Sequence, residues 1–420
     1  MRKILIAAFA LLSAVCWGQT FSPERSGGVY YAYPVKEAPR IAVPEGYVPF
    51  YISHYGRHGS RWLPSEERYE WVMAQFSDDS SLTPQGRSVK KRLRTICRNA
   101  RGNAGQLTKL GVRQHQGIAR RMASNYPEVF ADGTKILARS STVPRCRASM
   151  LAFCGALPCK NINAETDARF MSYINNESAE LKALTARTKR QPLVSPARII
   201  SSLFSMSPCH GDNAEADALR LLSELHTIAS DMQDIPLGIS LWDIFTPEEM
   251  LAVHDANNER MTICNGDTPL NDGIAARSSI PLWQNIVSEA DSLIATGGHG
   301  ASLRFGHDTA LYRLLTLLQL QLPGDGMEDI IPMAANLQMV FLRGERTDSI
   351  LVAFLLNERP TSFSNLSPLS SLHSPLYRWP DVKAHMQERI HQLEHLRQLS
   401  ALNTMVGTDQ ANTPTAGLFG

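Results

Sequence analysis

Apolar residues recur along this chain in two rhythms, and the switches between them mark its elements. Val48 to Tyr55 is aromatic, β-branched and alternating, which predicts a buried strand. From 65 to 126 the period lengthens to that of helices. Ser65 stands before EERYEWVMAQF, and Thr108 opens the helix of LTKLGVRQHQGIARRMASNY. TKILARSS at 134 to 141 predicts the next strand, followed by a helix through RCRASMLAFCGAL. From about 165 to 290 strand candidates become few, and amphipathic helices such as AEADALRLLSELHTIASDM dominate. There Thr246-Pro247-Glu248-Glu249 combines a capping threonine, a proline at the first helical position and a glutamate at the third. ASLRFGHDTALYRLLTLLQL at 301 to 320 restores strand, turn and helix. NLQMVFLRGERTDSILVAFLLN at 336 to 357 predicts a hairpin, and a charged helix spans roughly 380 to 400.

Strand, helices and strand in that order imply an α/β fold: an open, mostly parallel sheet flanked by helices, with an inserted helical cap domain. The expected core is discontinuous, 19–164 and 291–402, around a cap at 165–290. The polar, Gly/Thr-rich tail at 403–420 is expected to be disordered. The opening MRKILIAAFALLSAVCWGQT has two cations, an apolar run and then small residues, which predicts a secretory signal peptide at 1–18 with Gln19 as the mature start. Its apolar run is too short to span a bilayer as a mature helix. The rival reading makes Cys16 the lipidated residue of a lipoprotein signal, although Val15 is bulky for that position. Either way the chain is expected to be exported, to the periplasm or the medium.

The 420 residues are 43% hydrophobic and 20% charged, an ordinary globular composition. Loss of Arg2 and Lys3 with the signal takes the 42 basic residues to 40, against 40 acidic ones. No global field then remains to attract nucleic acid or a membrane surface, so any anion must be held by a local cluster. Without Cys16, six cysteines remain: Cys97, Cys146, Cys154, Cys159, Cys209 and Cys264. An even count in an exported chain permits disulfides, with the pairing open. No C-x-x-C pair or other Cys/His spacing suggests a zinc site.

Such a cluster stands at the end of the first strand. YISHYGRHGSRW, residues 51 to 62, places Arg57, His58 and Arg61 within five positions. Loops at the carboxyl ends of strands build the sites of open α/β sheets. Gly59 allows a close backbone turn. Arginine forks match phosphate oxygens, and their charge disfavours a protonated His58. A neutral imidazole can attack phosphorus and carry a phosphohistidine while the guanidiniums neutralise the equatorial oxygens. The tripeptide alone equally describes a strand end capped by solvated cations. A second cluster, FGHDTALYRLL, puts His307 and Asp308 at a strand end before a helix, where the dipole favours a carboxylate. Beside a bound phosphate Asp308 can serve as general acid and His307 as a further donor; alone, the pair is more often a cap. ARSSTVPRCRASMLAF, 138 to 153, adds Arg145 near a helix start, with Arg139 and Arg147 as neighbours.

Together R-H-G-S-R at 57 to 61, LTKLG at 107 to 111, RSSTVPRC at 139 to 146 and GHDT at 306 to 309 resemble the histidine phosphatase superfamily, in its acid phosphatase and phytase branch. Within that branch the chain looks most like the multiple inositol polyphosphate phosphatases, through SSTVPRCRASMLAFCGAL, ARSSIPLWQNI, LRFGH and ANLQMVFL…LLNERP. The resemblance implies His58 as nucleophile, a phosphate pocket of Arg57, Arg61, Arg145 and His307, and Asp308 as proton donor, with no metal and no cofactor. Two positions depart from the pattern. Pro64 falls one place later than the usual proline, and His307-Asp308-Thr309 stands where that group typically carries His-Ala-Glu. His-Asp is the acid phosphatase and bacterial phytase form, so the preferred substrate or cleavage position is expected to differ from the group's.

The expected partner is a small phosphomonoester, an inositol polyphosphate such as phytate in the first instance, with the oligomeric state open. Such a ligand needs cations beyond the reacting phosphate. Arg187, Lys189 and Arg190 in TARTKRQ supply them, with Arg139 nearer the pocket and RSVKKRLR at 87 to 94 as a further source. Each is also readable as a solvated face. The alternative is a histidine acid phosphatase of broad specificity. A phosphoglycerate mutase-like phosphotransferase shares the nucleophile, but export, the helical insertion and the His-Asp pair argue against it. A non-catalytic phosphate binder would carry a damaged set, and all six matched positions here are chemically competent.

Overall fold

The computed structural model describes residues 22–175, 177–321, 331–369 and 374–411. The signal peptide expected at 1–18, the alternative lipidation at Cys16 and the last residues of the expected tail lie outside them.

The described strands form one eight-stranded sheet. In chain order they are β1 (Tyr47–Arg57), β2 (Lys135–Ser140), β3 (Ile162–Thr166), β4 (Gly300–Gly306), β5 (Asn336–Gly344), β6 (Ile350–Leu356), β7 (Arg359–Thr361) and β8 (Leu376–Arg378). Their spatial order is β3-β2-β4-β1-β5-β6-β7, with β8 also on β6. β3, β2, β4 and β1 run parallel, which is the half of the sheet that carries the site. The expected hairpin, β5 and β6, extends β1 in the antiparallel sense. β3 is a strand that the apolar pattern did not announce. It is a short edge strand, INAET, paired on one side only, so it needs no apolar run.

The helices of seven residues or more among the described residues are α1 (Glu66–Gln75), α2 (Pro84–Ala100), α3 (Lys109–Asn125), α4 (Pro144–Cys154), α5 (Ala179–Arg187), α6 (Ala197–Leu203), α7 (Ala214–Asp231), α8 (Pro247–Asn265), α9 (Ile280–Thr296), α10 (Asp308–Leu318) and α11 (Trp379–Ala411). Their starts follow the sequence closely. Ser65 and Thr108 accept from the backbone of α1 and α3, and Thr246 forms a full capping box with Glu249. One sheet face is covered by α9, α10 and α11, through Trp283, Ile286, Leu311, Leu314 and Trp379. The other face packs on α3 and α4, through Ile118, Met122, Met150 and Phe153.

A third core holds a helical lobe together. Val72, Val89, Leu93 and Ile96 of α1 and α2 meet Leu203 of α6, Leu221, Leu225 and Ile228 of α7 and Val253 of α8. The lobe therefore draws on both sides of the boundary expected at 165, whereas α9, read as cap up to residue 290, packs on the sheet. Periodicity reveals that a helix has an apolar face but not which partner covers it. At the other end α11 continues to Ala411, past the limit expected at 402. The stretch from 403 is polar, but no proline interrupts it before Pro414, so nothing in it forbids further helical turns. No helix among the described residues is long and apolar enough to cross a membrane.

One register positions the chemistry. β1 pairs with β4 so that Tyr55 lies beside Arg304 and Arg57 beside Gly306. The two motifs, some 250 residues apart in sequence, therefore leave the sheet side by side.

Candidate active site

His58 continues the parallel pairing by one more bond, its N–H donating to the Gly306 carbonyl at 3.0 Å, while its own carbonyl accepts from Ala334 at 2.9 Å. The ring is buried, and Nδ1 lies 3.0 Å from the Gly59 carbonyl. A carbonyl only accepts, so Nδ1 carries the proton and Nε2 keeps a bare lone pair. Gly59 is required by contact rather than by torsion. A Cβ there would stand 2.7 Å from the carbonyl oxygen of Gly111, and one on Gly111 would stand 2.3 Å from that of Ser60. The LTKLG helix start thus docks backbone to backbone on the loop. Gln114 of α3 completes the fixing by accepting from the Ser60 N–H at 2.9 Å.

The cations converge on this ring. Arg57, fully buried, spends Nη1 on the carbonyls of Val29 and Ile331, both at 2.6 Å, and sets Nη2 3.1 Å from Asp308 Oδ2. Arg61 donates to the Trp62 carbonyl at 3.1 Å and lies 3.7 Å from Asp231 Oδ1, with its guanidinium 5.1 Å from the centre of the Tyr30 ring. Arg145 is the second residue of α4, behind Pro144. The ring of His307 stands edge-on to His58 with centroids 5.6 Å apart. Burial first, then Arg57, Arg61, Arg145 and His307, hold His58 well below the usual imidazole range. Burial and Arg145 lower His307 to about 4, against the pull of Asp308. Burial works to raise Asp308, but Arg57, His307, the Thr309 N–H and Arg61 together hold it below the ordinary carboxyl value. The resting site is a neutral imidazole among guanidiniums, facing an ionised carboxylate.

Arg145, His307, Asp308, Asn175 and Arg313 line a cavity of about 390 Å³. A second cavity of about 730 Å³ shares Glu177 and Arg313 with it and is lined by Lys182, Lys189, Arg190 and Arg260. Of the expected distal cations, Lys189 and Arg190 therefore reach a space that adjoins the site, although Arg190 is held there by Glu259 at 2.8 Å. Arg187 does not: it is exposed at the last residue of α5, outside the lining. Arg139 is also turned to another use. It pairs with Glu289, which in turn holds Arg304 at 2.5 Å inside the sheet. Lys90 and Arg92 of the 87-to-94 run are bound to Asp79 and Asp243 within the helical lobe. Arg147 follows Arg145 by two residues, so α4 turns it to the opposite side, where it is exposed. The six cysteines expected to be available for disulfides are all free thiols.

Four neighbours were not singled out from the sequence: Tyr30, Asp231, Asp234 and Arg313. Tyr30 arrives on the extended arm before β1, Asp231 ends α7 and Asp234 ends the turn after it, so only the packed chain brings them to the loop.

Sheet order, helical lobe and paired loops define an α/β fold known from phosphatases of inositol phosphates. The chain is similar to the crystal structure of Bifidobacterium longum multiple inositol polyphosphate phosphatase in complex with inositol hexasulfate, with a TM-score of 0.67 and 19% identity over 86% of this chain and 97% of that one. It is similar also to the phytase of D. castellii, at a TM-score of 0.60 and 12% identity over 88% and 86% of the two chains. A Klebsiella phytase aligns at 0.52 with 13% identity, over 83% and 97%. No family model matches the sequence, and neither does any curated protein. At these identities the likeness is one of fold.

Proposed function

We propose that this protein is a phosphomonoester hydrolase that works through a phosphohistidine, needs no metal, and takes inositol polyphosphates as substrates. The observation that carries the reading is the bare Nε2 of His58, fixed by Nδ1 donation to Gly59 and ringed by Arg57, Arg61 and Arg145 opposite His307-Asp308. Nε2 attacks phosphorus and the ester P–O bond breaks, with Asp308 giving its proton to the leaving oxygen. Asp308 must first gain that proton. A phosphate bound to Arg57 supplies the reason, since it takes over the guanidinium and adds negative charge beside the carboxyl. Water then attacks the phosphohistidine, Asp308 takes a proton from it, and inorganic phosphate leaves.

Lys189 and Arg190, in the cavity that shares Arg313 with the catalytic one, suit the distal phosphates of a polyphosphorylated ring. Arg187 and Arg139 are left out of the substrate contacts. Export after removal of residues 1–18 rests on the composition of the leader.

The test is phosphate release by the purified chain in the presence of a chelator, from inositol hexakisphosphate and glycerol phosphate in parallel. Strong preference for the inositol compound, abolished by His58→Ala, supports the reading. Equal rates make the protein a broad acid phosphatase. No release from either overturns the hydrolase assignment.

A further inference from the structure

Two carboxylic acids lie beneath the loop that carries His58, and the chemistry above leaves them unused. Asp231 is the last residue of α7 and Asp234 closes the turn after it; both are 0% exposed. Asp234 Oδ1 accepts from the Ser60 hydroxyl at 2.5 Å, while its Oδ2 is buried with no hydrogen-bond partner. Asp231 Oδ2 accepts from the Tyr69 hydroxyl at 3.1 Å; its Oδ1 makes no hydrogen bond and lies 3.7 Å from Arg61. The groups facing the pair are Arg61 and, further off, Arg57 from the loop, Arg68 and Tyr69 from α1, and Gln114 of α3, which donates to Ser60 Oγ at 2.8 Å.

Two buried carboxylates three residues apart, set against the adjacent Ser60 and Arg61 with one guanidinium at 3.7 Å, are not both stably ionised, because each charge is stripped of water and repels the other. Such a pair keeps one proton between its members and titrates as a unit. Burial raises both, Asp231 to about 7, and Asp234 is raised further by the charge of Asp231. The hydrogen bond from Ser60 and the ion pair with Arg61 carry the state of this pair into the catalytic loop.

We propose that Asp231 and Asp234 are positioning residues that share one proton, hold Ser60 and Arg61 in place, and set the charge beneath the phosphate pocket. With the proton present, Arg61 faces one carboxylate and is free to turn its fork to an incoming phosphate. Once the proton is lost, two carboxylates draw the guanidinium back and repel the anion. Substrate binding therefore weakens as pH rises through the titration of the pair, and anion binding above it takes up a proton.

The inference rests on the proposed hydrolase reading for its kinetic arm only; the binding arm stands without turnover. In the first arm, KM and kcat for p-nitrophenyl phosphate are followed against pH in the wild type, Asp234→Asn and Asp231→Asn. Asparagine keeps the size of the side chain and, at 234, an oxygen for Ser60. Wild-type KM is expected to rise by up to about tenfold per pH unit past the titration of the pair, with a smaller fall in kcat. The rise is expected to vanish in Asp234→Asn. In the second arm, sulfate, which does not titrate in this range, is bound in two buffers of different ionisation enthalpy. The wild type is expected to take up a proton, and Asp234→Asn to bind without doing so. Superimposable KM–pH curves, or equal proton uptake in a variant with an unchanged melting point, overturn the proposal. If the wild type releases no phosphate, the hydrolase reading fails, and the sulfate arm alone decides the pair. Should Asp234→Asn not fold, Asp231→Asn decides by the same criteria.

Discussion

Arg57 Nη2 lies 3.1 Å from Asp308 Oδ2, so the residue before the candidate nucleophile holds the candidate acid. The contact keeps Asp308 ionised until a phosphate competes for the same guanidinium. Asp308→Asn is then expected to lower kcat/KM on glycerol phosphate, which covers the steps up to departure of the leaving group and not the later attack of water, by roughly a hundredfold or more, the usual reach of a general acid. On p-nitrophenyl phosphate, whose phenolate leaves without a proton, the loss is expected to stay within about tenfold. Equal losses on the two substrates would remove Asp308 from the proton-donor role.

The neutrality of His58 has its own consequence for pH. An imidazole of ordinary pKa, about 6.5, is mostly protonated at pH 5 and would lose roughly thirtyfold in nucleophile between pH 7 and 5. Burial and the surrounding guanidiniums hold His58 well below that value, so it stays neutral through this window. The burst rate with p-nitrophenyl phosphate, measured in an Asp308→Asn background to remove the other carboxyl, is expected to fall by less than about threefold over the same range. His58→Ala abolishes the burst. A thirtyfold fall would mean that the ring titrates normally.

What the sequence made legible follows from which interactions are local. Caps at Ser65, Thr108 and Thr246 and the two strand-end motifs are written within a few residues, and each appears where it was expected. The adjacency of Arg57 and Asp308 required only the parallel pairing of two strands, which the α/β order implied. Arg139 was misleading because its place at the head of the RSSTVPRC run says nothing of Glu289, 150 residues away, which binds it. Tyr30, Asp231 and Asp234 were illegible for the same reason. They reach the loop from an arm and a helix end whose docking depends on the packing of the helical lobe.

Gly59 and Gly111 offer a prediction about packing. Each Cβ would meet backbone atoms of the opposite loop at under 3 Å, and neither backbone is free to retreat from a hydrogen-bonded turn. Gly111→Ala is expected to cost about 1–3 kcal/mol, as overpacking of a close contact does. It should also reduce kcat, because Ser60 and the His58 loop are what would move. Urea denaturation together with turnover checks both, and a stable, fully active variant would show that the contact is not rigid.

The pair between Glu289 of α9 and Arg304 of β4 predicts how stability varies with pH. Arg304 is almost wholly buried and is held by Glu289, by Asn285 at 2.9 Å and by Ser53 at 3.0 Å. Burial alone would raise the Glu289 carboxyl, but Arg304 and Arg139 outweigh it and bring the group below the ordinary carboxyl range. A depressed folded value means that the stabilisation is present above the unfolded value of about 4.3 and is lost as pH falls through the folded one. Glu289→Gln, which leaves a buried guanidinium without its counter-charge, is expected to cost about 3–5 kcal/mol at pH 7. The deficit should narrow as pH falls below the ordinary carboxyl range and through the lowered folded value, where the wild type loses the same charge. A constant difference across pH would assign the cost to shape instead.

The last prediction separates the distal cations from one another. Lys189 and Arg190 line the cavity that shares Arg313 with the catalytic one, whereas Arg187, three residues from Arg190, is turned to solvent outside it. Composition cannot distinguish them, but the geometry can. Lys189→Ala and Arg190→Ala are each expected to raise KM for inositol hexakisphosphate by roughly threefold to tenfold and to leave glycerol phosphate unaffected, since a small ester reaches only the inner cavity. Arg187→Ala should change neither. Half-molar salt is expected to shrink the first two effects, because partly exposed charges are screened at that ionic strength. If Arg187→Ala weakens the inositol substrate as much as the others do, the loop from 185 to 191 acts through its overall charge and the cavity has no part in recognition.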